Sequence, residues 1–119
     1  MAKFQTRREE SPEGPGVLII HTEGYINDEG GQRLRRECEA GLAEDLRNII
    51  IDFEASDLIN SVAVANLIAV IERIQEVNGR ILFTRLSPTV REVFDIMGLS
   101  RHVEICDDPD AAWASLRGA

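Results

Sequence analysis

The sequence predicts an α/β domain with a mixed, mostly parallel sheet of about five strands and about four helices. Ile49 to Phe53 is a continuous apolar run of mainly β-branched residues, typical of a strand that is buried on both faces. From the first helix onward, short apolar runs alternate with longer amphipathic segments. This alternation favours parallel strands joined by right-handed crossover helices.

The N-terminal part predicts a hairpin at one edge of the sheet. From Lys3 to Arg8, Phe4 and Thr6 alternate with charged or amide side chains, typical of a short amphipathic strand, and a loop is expected over Ser11 to Gly16. Val17 to Ile20 is a second apolar strand, which continues less strongly as far as Ile26. We therefore expect one domain over residues 1–119, with a core at roughly 16–116 and an edge strand and loop at 3–15.

The first helix is expected from Glu29 to Ala43, capped by Asn27 or Asp28. Its glycines, Gly30 and Gly31, predict a late or frayed first turn, because glycine is a poor helix former. The remaining elements are expected in this order: helix Ser61 to about Val77, strand Arg80 to Phe83, helix Pro88 to Met97, strand Val103 to Ile105 and helix Pro109 to Leu116.

Charge and composition exclude several classes of partner. The chain has 13 Lys and Arg against 21 Asp and Glu, a net charge of −8. This balance repels nucleic acid and anionic membranes and attracts a basic protein surface. We find no signal peptide and no apolar run of the roughly 20 residues that span a membrane. Cys38 and Cys106 follow no metal or redox spacing, so we expect reduced thiols in the cytoplasm.

The sequence contains no pattern that indicates catalysis. His21 and His102 belong to no metal or nucleophile spacing, so structural roles are expected for both. The acidic residues near the end of the apolar strand are interpreted as a solvated rim: Asp52, Glu54 and Asp57. Those near the last helix are interpreted as charges that complement its N-terminus: Asp107, Asp108 and Asp110. We predict no catalytic residue, no metal site and no cofactor.

Ser61 and the helix after it are the most informative part of the chain. From Val62 to Ile71 only Asn66 is polar, so this helix lacks a clear wet side. Either neighbouring helices bury its first half, or part of it is an exposed apolar patch for a protein partner. Asn60 and Ser61 are both favourable helix-capping residues at the helix start. Ser61 is either a cap only or a phosphoacceptor whose modification reverses the local charge.

Three segments resemble the STAS-domain family, specifically bacterial anti-sigma-factor antagonists. They are TEGYIN from Thr22 to Asn27, IIIDFEASDLINSVAVANLI from Ile49, and LSPTVREVFDIMGL from Leu86 to Leu99. The resemblance covers nearly the whole chain. It implies a compact non-enzymatic domain that binds a serine-kinase anti-sigma factor and frees the sigma factor. Phosphorylation releases the antagonist in this family, and a metal-dependent serine phosphatase reverses it.

Carried onto this chain, the resemblance makes Ser61 the phosphoacceptor. The expected partner-binding residues lie around it: Asn27, Asp57, Asn60, Ser61, Val62, Ala63 and Asn66. The family usually has Asp-Ser-Ser-Gly at this point, whereas this chain has Asn60-Ser61-Val62-Ala63. Asn27 likewise replaces a commonly acidic residue.

Two other functions remain open at this point. One is a STAS interaction or scaffold module of a signalling or transport assembly that is never phosphorylated. The other is a small-molecule binding module, which needs a pocket that the sequence does not indicate.

Overall fold

The computed structural model describes residues 3–9 and 16–118. The side chains of residues 3–9 and the loop over 10–15 lie outside the described part, and with them the alternation expected from Lys3 to Arg8. The elements are β1 (Lys3–Glu9), β2 (Val17–Glu23), α1 (Asp28–Ala43), β3 (Asn48–Ala55), α2 (Ser61–Glu76), β4 (Arg80–Thr84), α3 (Pro88–Ile96), a 3-10 turn (Leu99–Arg101), β5 (Glu104–Cys106) and α4 (Pro109–Gly118).

The described strands form one sheet in the order β1-β2-β3-β4-β5. β1 pairs with β2 antiparallel, and the other three pairings are parallel. The predicted α/β class, with its mixed, mostly parallel sheet and its hairpin at one edge, is therefore confirmed. Because β2, β3 and β4 are parallel neighbours, the segments that follow them emerge at the same edge of the sheet.

Two apolar clusters cover the two faces of the sheet. The larger one packs α1, α2 and α3 against inward residues such as Ile20, Ile51 and Phe83. The smaller one packs α4, through Ala112 and Trp113, against the other face. Residues of β3 point alternately into both clusters, which confirms that this apolar run is a strand buried on both faces.

β2 is shorter than the sequence predicts, and this changes the geometry at the edge of the sheet. It ends at Glu23, Gly24 follows with φ 84°, and Ile26 then forms an isolated parallel bridge with Ile59. The backbone N–H of Ile26 donates to the Leu58 carbonyl at 3.0 Å, and the Asn60 N–H donates to the Ile26 carbonyl at 3.1 Å. The segments that lead into α1 and α2 are thus tied together.

Candidate functional site

Ser61 is the first residue of α2, and the residue before it caps the helix. Asn60 has extended backbone angles, φ −97° and ψ 171°, and its side-chain oxygen accepts from the Ala63 N–H at 2.9 Å. The interpretation of Ser61 as the cap is therefore wrong. Ser61 is exposed, and its hydroxyl makes no hydrogen bond within the part of the chain that the structure describes. That hydroxyl is accessible for modification.

α1 begins beside α2 with the same type of cap. The side-chain oxygen of Asn27 accepts from the Gly30 N–H at 2.9 Å, and the helix begins at Asp28. The expectation of a late or frayed start is wrong, because the helix is already regular from Asp28 and includes Gly30 and Gly31, which are buried. A Cβ on Gly31 would stand 2.8 Å from the Ala63 Cβ. Glycine at this position allows the two helices to approach closely, which outweighs its poor helix propensity.

A side-chain hydrogen bond also joins the two helix starts. The Asn60 amide donates from Nδ2 to Oδ1 of Asp28 at 2.6 Å, a short distance typical of a bond to a charged acceptor. The same Asn60 side chain therefore caps α2 and holds a carboxylate from α1. The first turn of α2 contains no acidic residue of its own.

Three exposed apolar side chains lie close to Ser61 along the chain or on the segment bridged to it: Tyr25, Leu58 and Val62, with exposed fractions of 41%, 48% and 42%. We call these three residues the docking patch. α2 buries its other face against the sheet and α1, through residues such as Val64 and Leu67. Both alternatives for α2 thus hold in part, since most of its apolar surface is buried and Val62 is not.

The other predicted partner-binding residues divide into surface and core. Asp57 is exposed, and Asn27 is half-buried. Asn66 is also half-buried; its amide donates to the Val62 carbonyl at 3.2 Å and accepts from Nη1 of Arg35 at 3.5 Å. Ala63 is fully buried against Gly31. The prediction that Ala63 belongs to the contact surface is wrong, because a side chain with no exposure cannot contact a partner.

Sequence reasoning missed a buried polar cluster on the opposite face of the sheet. Asp52 is 3% exposed and is not part of a solvated rim. Its carboxylate accepts from Nε and Nη2 of Arg85 at 2.9 and 2.6 Å, from the Thr84 hydroxyl at 3.0 Å, and contacts Nδ1 of His21 at 2.9 Å. These contacts give His21 a structural role, as the sequence predicts.

Charge pairing decides the ionisation of this cluster. Burial by itself raises the pKa of Asp52, but the hydrogen bonds from Arg85, His21 and Thr84 outweigh it and hold the pKa below its ordinary value. Arg85 adopts φ 54°, a strained left-handed conformation for a side chain of this size. The sequence did contain a signal for this cluster, since Asp52 lies within the apolar run of β3. A carboxylate that is buried there needs a charged partner.

The rest of the described chain offers little to a metal or cofactor. Residues 3–9 and 16–118 contain no group of three or more His, Cys, Asp or Glu side chains placed to hold a metal ion. Asp108 accepts from the Ala111 N–H at 2.8 Å, so it caps α4. Burial raises the pKa of the Cys38 thiol, which favours its protonated form. Two cavities of about 180 and 200 Å³ share Ile71, Gln75 and His102, away from the start of α2.

No helix in the described ranges is long and apolar enough to cross a membrane.

Comparison with known proteins identifies relatives along nearly the full length of the chain. BtrV of Bordetella bronchiseptica, assigned by inference as an anti-sigma factor antagonist, is 28% identical over 104 residues, covering 87% of this chain and 90% of BtrV.

Three solved structures have the same fold. An anti-sigma factor antagonist from Mycobacterium paratuberculosis is 21% identical with a TM-score of 0.79, covering 97% of this chain and 95% of its own. The antagonist SpoIIAA in its unphosphorylated form is 20% identical with a TM-score of 0.73, covering 97% and 100%. SpoIIAA of Bacillus is also solved in a phosphorylated form, with a TM-score of 0.67, 20% identity and coverage of 91% and 96%.

A sequence model of one family matches most of the chain. The STAS domain model matches residues 10–112, which include β2 to β5, α1 to α3 and the start of α4. The match spans both helix starts and the residues around Ser61. The chain belongs to the STAS-domain family.

Proposed function

We propose that this protein is an anti-sigma-factor antagonist that binds a serine-kinase anti-sigma factor and is released by phosphorylation of Ser61. Its family and the names of its relatives support an antagonist. The observation that carries the proposal is the position of Ser61, exposed at the first turn of α2 and next to Val62 of the docking patch. A modification there adds charge at the edge of an apolar contact surface.

The surface around Ser61 fits a partner that is both apolar and basic. Tyr25, Leu58 and Val62 provide apolar area, and Asp28 and Asp57 provide exposed negative charge. Interfaces commonly combine an apolar centre with a polar rim, and complementary charge speeds association. Asn27, Asn60 and Asn66 complete the proposed contact surface. The net charge of −8 favours a basic partner over nucleic acid.

The protein acts as a phosphoryl acceptor in this scheme and not as an enzyme. The Ser61 hydroxyl oxygen attacks the γ-phosphorus of ATP bound by the kinase, and the bond to the β-phosphate oxygen breaks. The hydroxyl proton passes to a base of the kinase, and ADP leaves. The antagonist supplies only the nucleophilic oxygen, so it needs no metal or cofactor of its own.

Phosphorylation changes the contact surface while the fold is retained. A phosphoserine carries roughly −1.5 to −2 charges, and the N-terminus of a helix stabilises negative charge. Ser61 occupies the first position of α2, so the helix tolerates the phosphate. A partner that binds the apolar patch, however, meets a hydrated dianion at its edge. Binding is weakened without unfolding, which is how a reversible switch works.

The remaining parts of the proposal concern organisation and cellular context. Residues 1–119 form a single STAS domain, with its core at roughly 16–116. A metal-dependent serine phosphatase restores the unmodified form, and the switch operates in the cytoplasm.

The test uses candidate switch kinases with Mg-ATP and mass spectrometry. We expect one phosphate on Ser61, none on the Ser61→Ala variant, and an unchanged level on Ser100→Ala, which removes a hydroxyl from another part of the chain. Ser61→Asp is expected to weaken kinase binding. Absence of transfer from every kinase that binds, together with binding indifferent to Ser61→Asp, would contradict the proposal. That outcome favours a STAS interaction module of a signalling or transport assembly.

A further inference from the structure

We infer that Asp28 is the residue through which the start of α2 senses a negative charge on Ser61. The inference rests on the proposed function, which makes Ser61 the modified residue. It starts from the 2.6 Å hydrogen bond between Nδ2 of Asn60 and Oδ1 of Asp28. Because Ser61 follows Asn60 directly, a carboxylate from another helix lies beside the modified position.

The arrangement gives α2 a negative charge that its own sequence lacks. Its first turn has no acidic residue, whereas α1 has Asp28 and Glu29 in its first turn. The Ile26–Ile59 bridge and the Gly31–Ala63 contact place the two helix starts side by side. Asp28 can therefore complement the N-terminal dipoles of both helices.

A phosphate on Ser61 would add a second negative charge at this shared position. Even at the dielectric constant of bulk water, two like charges about 5 Å apart repel each other by an energy that corresponds to about a fourfold to fivefold change in an equilibrium constant. The repulsion acts on the Asp28 carboxylate, which accepts from Nδ2 of Asn60, the same side chain that caps α2 through Oδ1. Phosphorylation thus displaces Asp28 from Asn60 and alters the charged edge of the docking patch.

The first test needs no partner protein. Folding stability is measured by urea unfolding for the wild type, Ser61→Asp, Asp28→Asn and the double variant. Asparagine at position 28 keeps an oxygen that can accept from Asn60 but removes the charge. We expect Ser61→Asp to destabilise the fold less in the Asp28→Asn background than in the wild type. The difference should be about fivefold in the folding equilibrium constant. It should become smaller as salt screens the charges.

Glu29→Gln is the matched control, since it removes the same charge from the next residue of the same helix turn. Its coupling to Ser61→Asp is expected to be less than half as large. If Ser61→Asp changes the folding stability by the same amount in the wild type and in the Asp28→Asn background, the inference is overturned. Equal coupling for the Asp28 and Glu29 cycles also overturns it, because the effect would then come from general charge.

The second test uses the kinase that binds the protein. We expect the loss of binding caused by Ser61→Asp to be about threefold to fivefold smaller in the Asp28→Asn background. If Ser61→Asp weakens binding equally in both backgrounds, the inference is wrong and the proposed function stands. If no switch kinase binds but the unfolding cycle shows the coupling, the proposed function fails while the electrostatic link between Asp28 and position 61 stands.

Discussion

Gly31 of α1 and Ala63 of α2 are in such close contact that any side chain on residue 31 meets backbone. A Cβ there would stand 2.8 Å from the Ala63 Cβ and closer still to its Cα. Because the helix backbone cannot yield as a side-chain tip can, the two helices have to separate to admit a methyl group. The contact thus determines how the two helix starts are arranged around Ser61.

Gly31→Ala is expected to destabilise the fold by about 2 kcal/mol, despite the gain of about 1 kcal/mol in helix propensity. Gly41→Ala is the matched control in the same helix. Its Cβ would meet Cδ2 of Leu18 at 2.8 Å, the far end of a flexible side chain that can move. Urea unfolding compares the two variants. If Gly31→Ala is as stable as Gly41→Ala, the close contact is not a constraint.

The Asp52 cluster makes stability depend on pH in a defined direction. The folded-state pKa of Asp52 is lowered, so the native state holds the carboxylate ionised while the unfolded chain takes up a proton more readily. This contribution is fully present above the ordinary aspartate pKa of about 4 and is lost as the pH falls toward the folded-state value. Asp52→Asn is expected to flatten the fall in stability below about pH 4.

Denaturant unfolding between about pH 2 and pH 7 checks this expectation. Asp57→Asn is the control for the change of charge, because Asp57 is exposed and lies outside the cluster. At neutral pH, Arg85→Met is expected to cost about 3 kcal/mol, since it leaves a buried carboxylate with only neutral donors and His21. A pH profile of Asp52→Asn that follows the wild type would contradict the role of this cluster.

The parts of the fold that depend on local pattern were predictable from the sequence. The apolar run of β3, the capping residues Asn27 and Asn60, and the start of α2 at Ser61 all follow from spacing and capping preference. The regular first turn of α1 was not predictable, because Gly31 is needed there for a close contact with Ala63, which is distant in sequence. Helix propensity alone gives the opposite prediction.

Long-range pairs of polar side chains were also beyond local reasoning. Asp52 meets His21 and Thr84 because strand register pairs these residues across β2, β3 and β4. Asn60 meets Asp28 because the segments before the two helices are bridged. Neither register nor bridge can be read from one strand at a time. Sequence patterns therefore pointed to the candidate site around Ser61 but not to the charges that surround it.

The docking patch predicts a separation between binding and stability. If the proposed function holds, Leu58→Ala and Val62→Ala together are expected to weaken binding of the proposed partner kinase at least tenfold, because buried apolar anchors dominate interface energies. Stability should change by less than about 2 kcal/mol, since both side chains are already about half exposed in the folded protein. Calorimetric titration and thermal unfolding measure the two quantities.

Ile96→Ala is the control for this prediction. Ile96 is 76% exposed at the end of α3 and lies outside the docking patch, so its truncation removes a similar exposed apolar group. Binding should remain at the wild-type level. A loss of binding as large as that of the Leu58 and Val62 variant would mean that the partner covers a different or wider surface.

The double role of Asn60 predicts an order of stability among its variants. Asn60→Ala loses both the cap and the bond to Asp28 and is expected to cost about 1 kcal/mol or more. Asn60→Asp keeps an oxygen to cap the Ala63 N–H but loses the donor to Asp28 and opposes it with a like charge. It should therefore be less stable than the wild type, by an amount that decreases at high salt.

Exchanging the two side chains tests this explanation directly. The double variant Asp28→Asn with Asn60→Asp again has one carboxylate and one amide facing each other, so the donor and acceptor are reversed and the net charge is unchanged. We expect its stability to return to within about 0.5 kcal/mol of the wild type, measured by urea unfolding at low and high salt. Persistent destabilisation of the exchanged pair would show that Asn60 is required for its backbone geometry and not for its bond to Asp28. Recovery would show that a single carboxylate between the helix starts suffices, whichever of the two positions carries it.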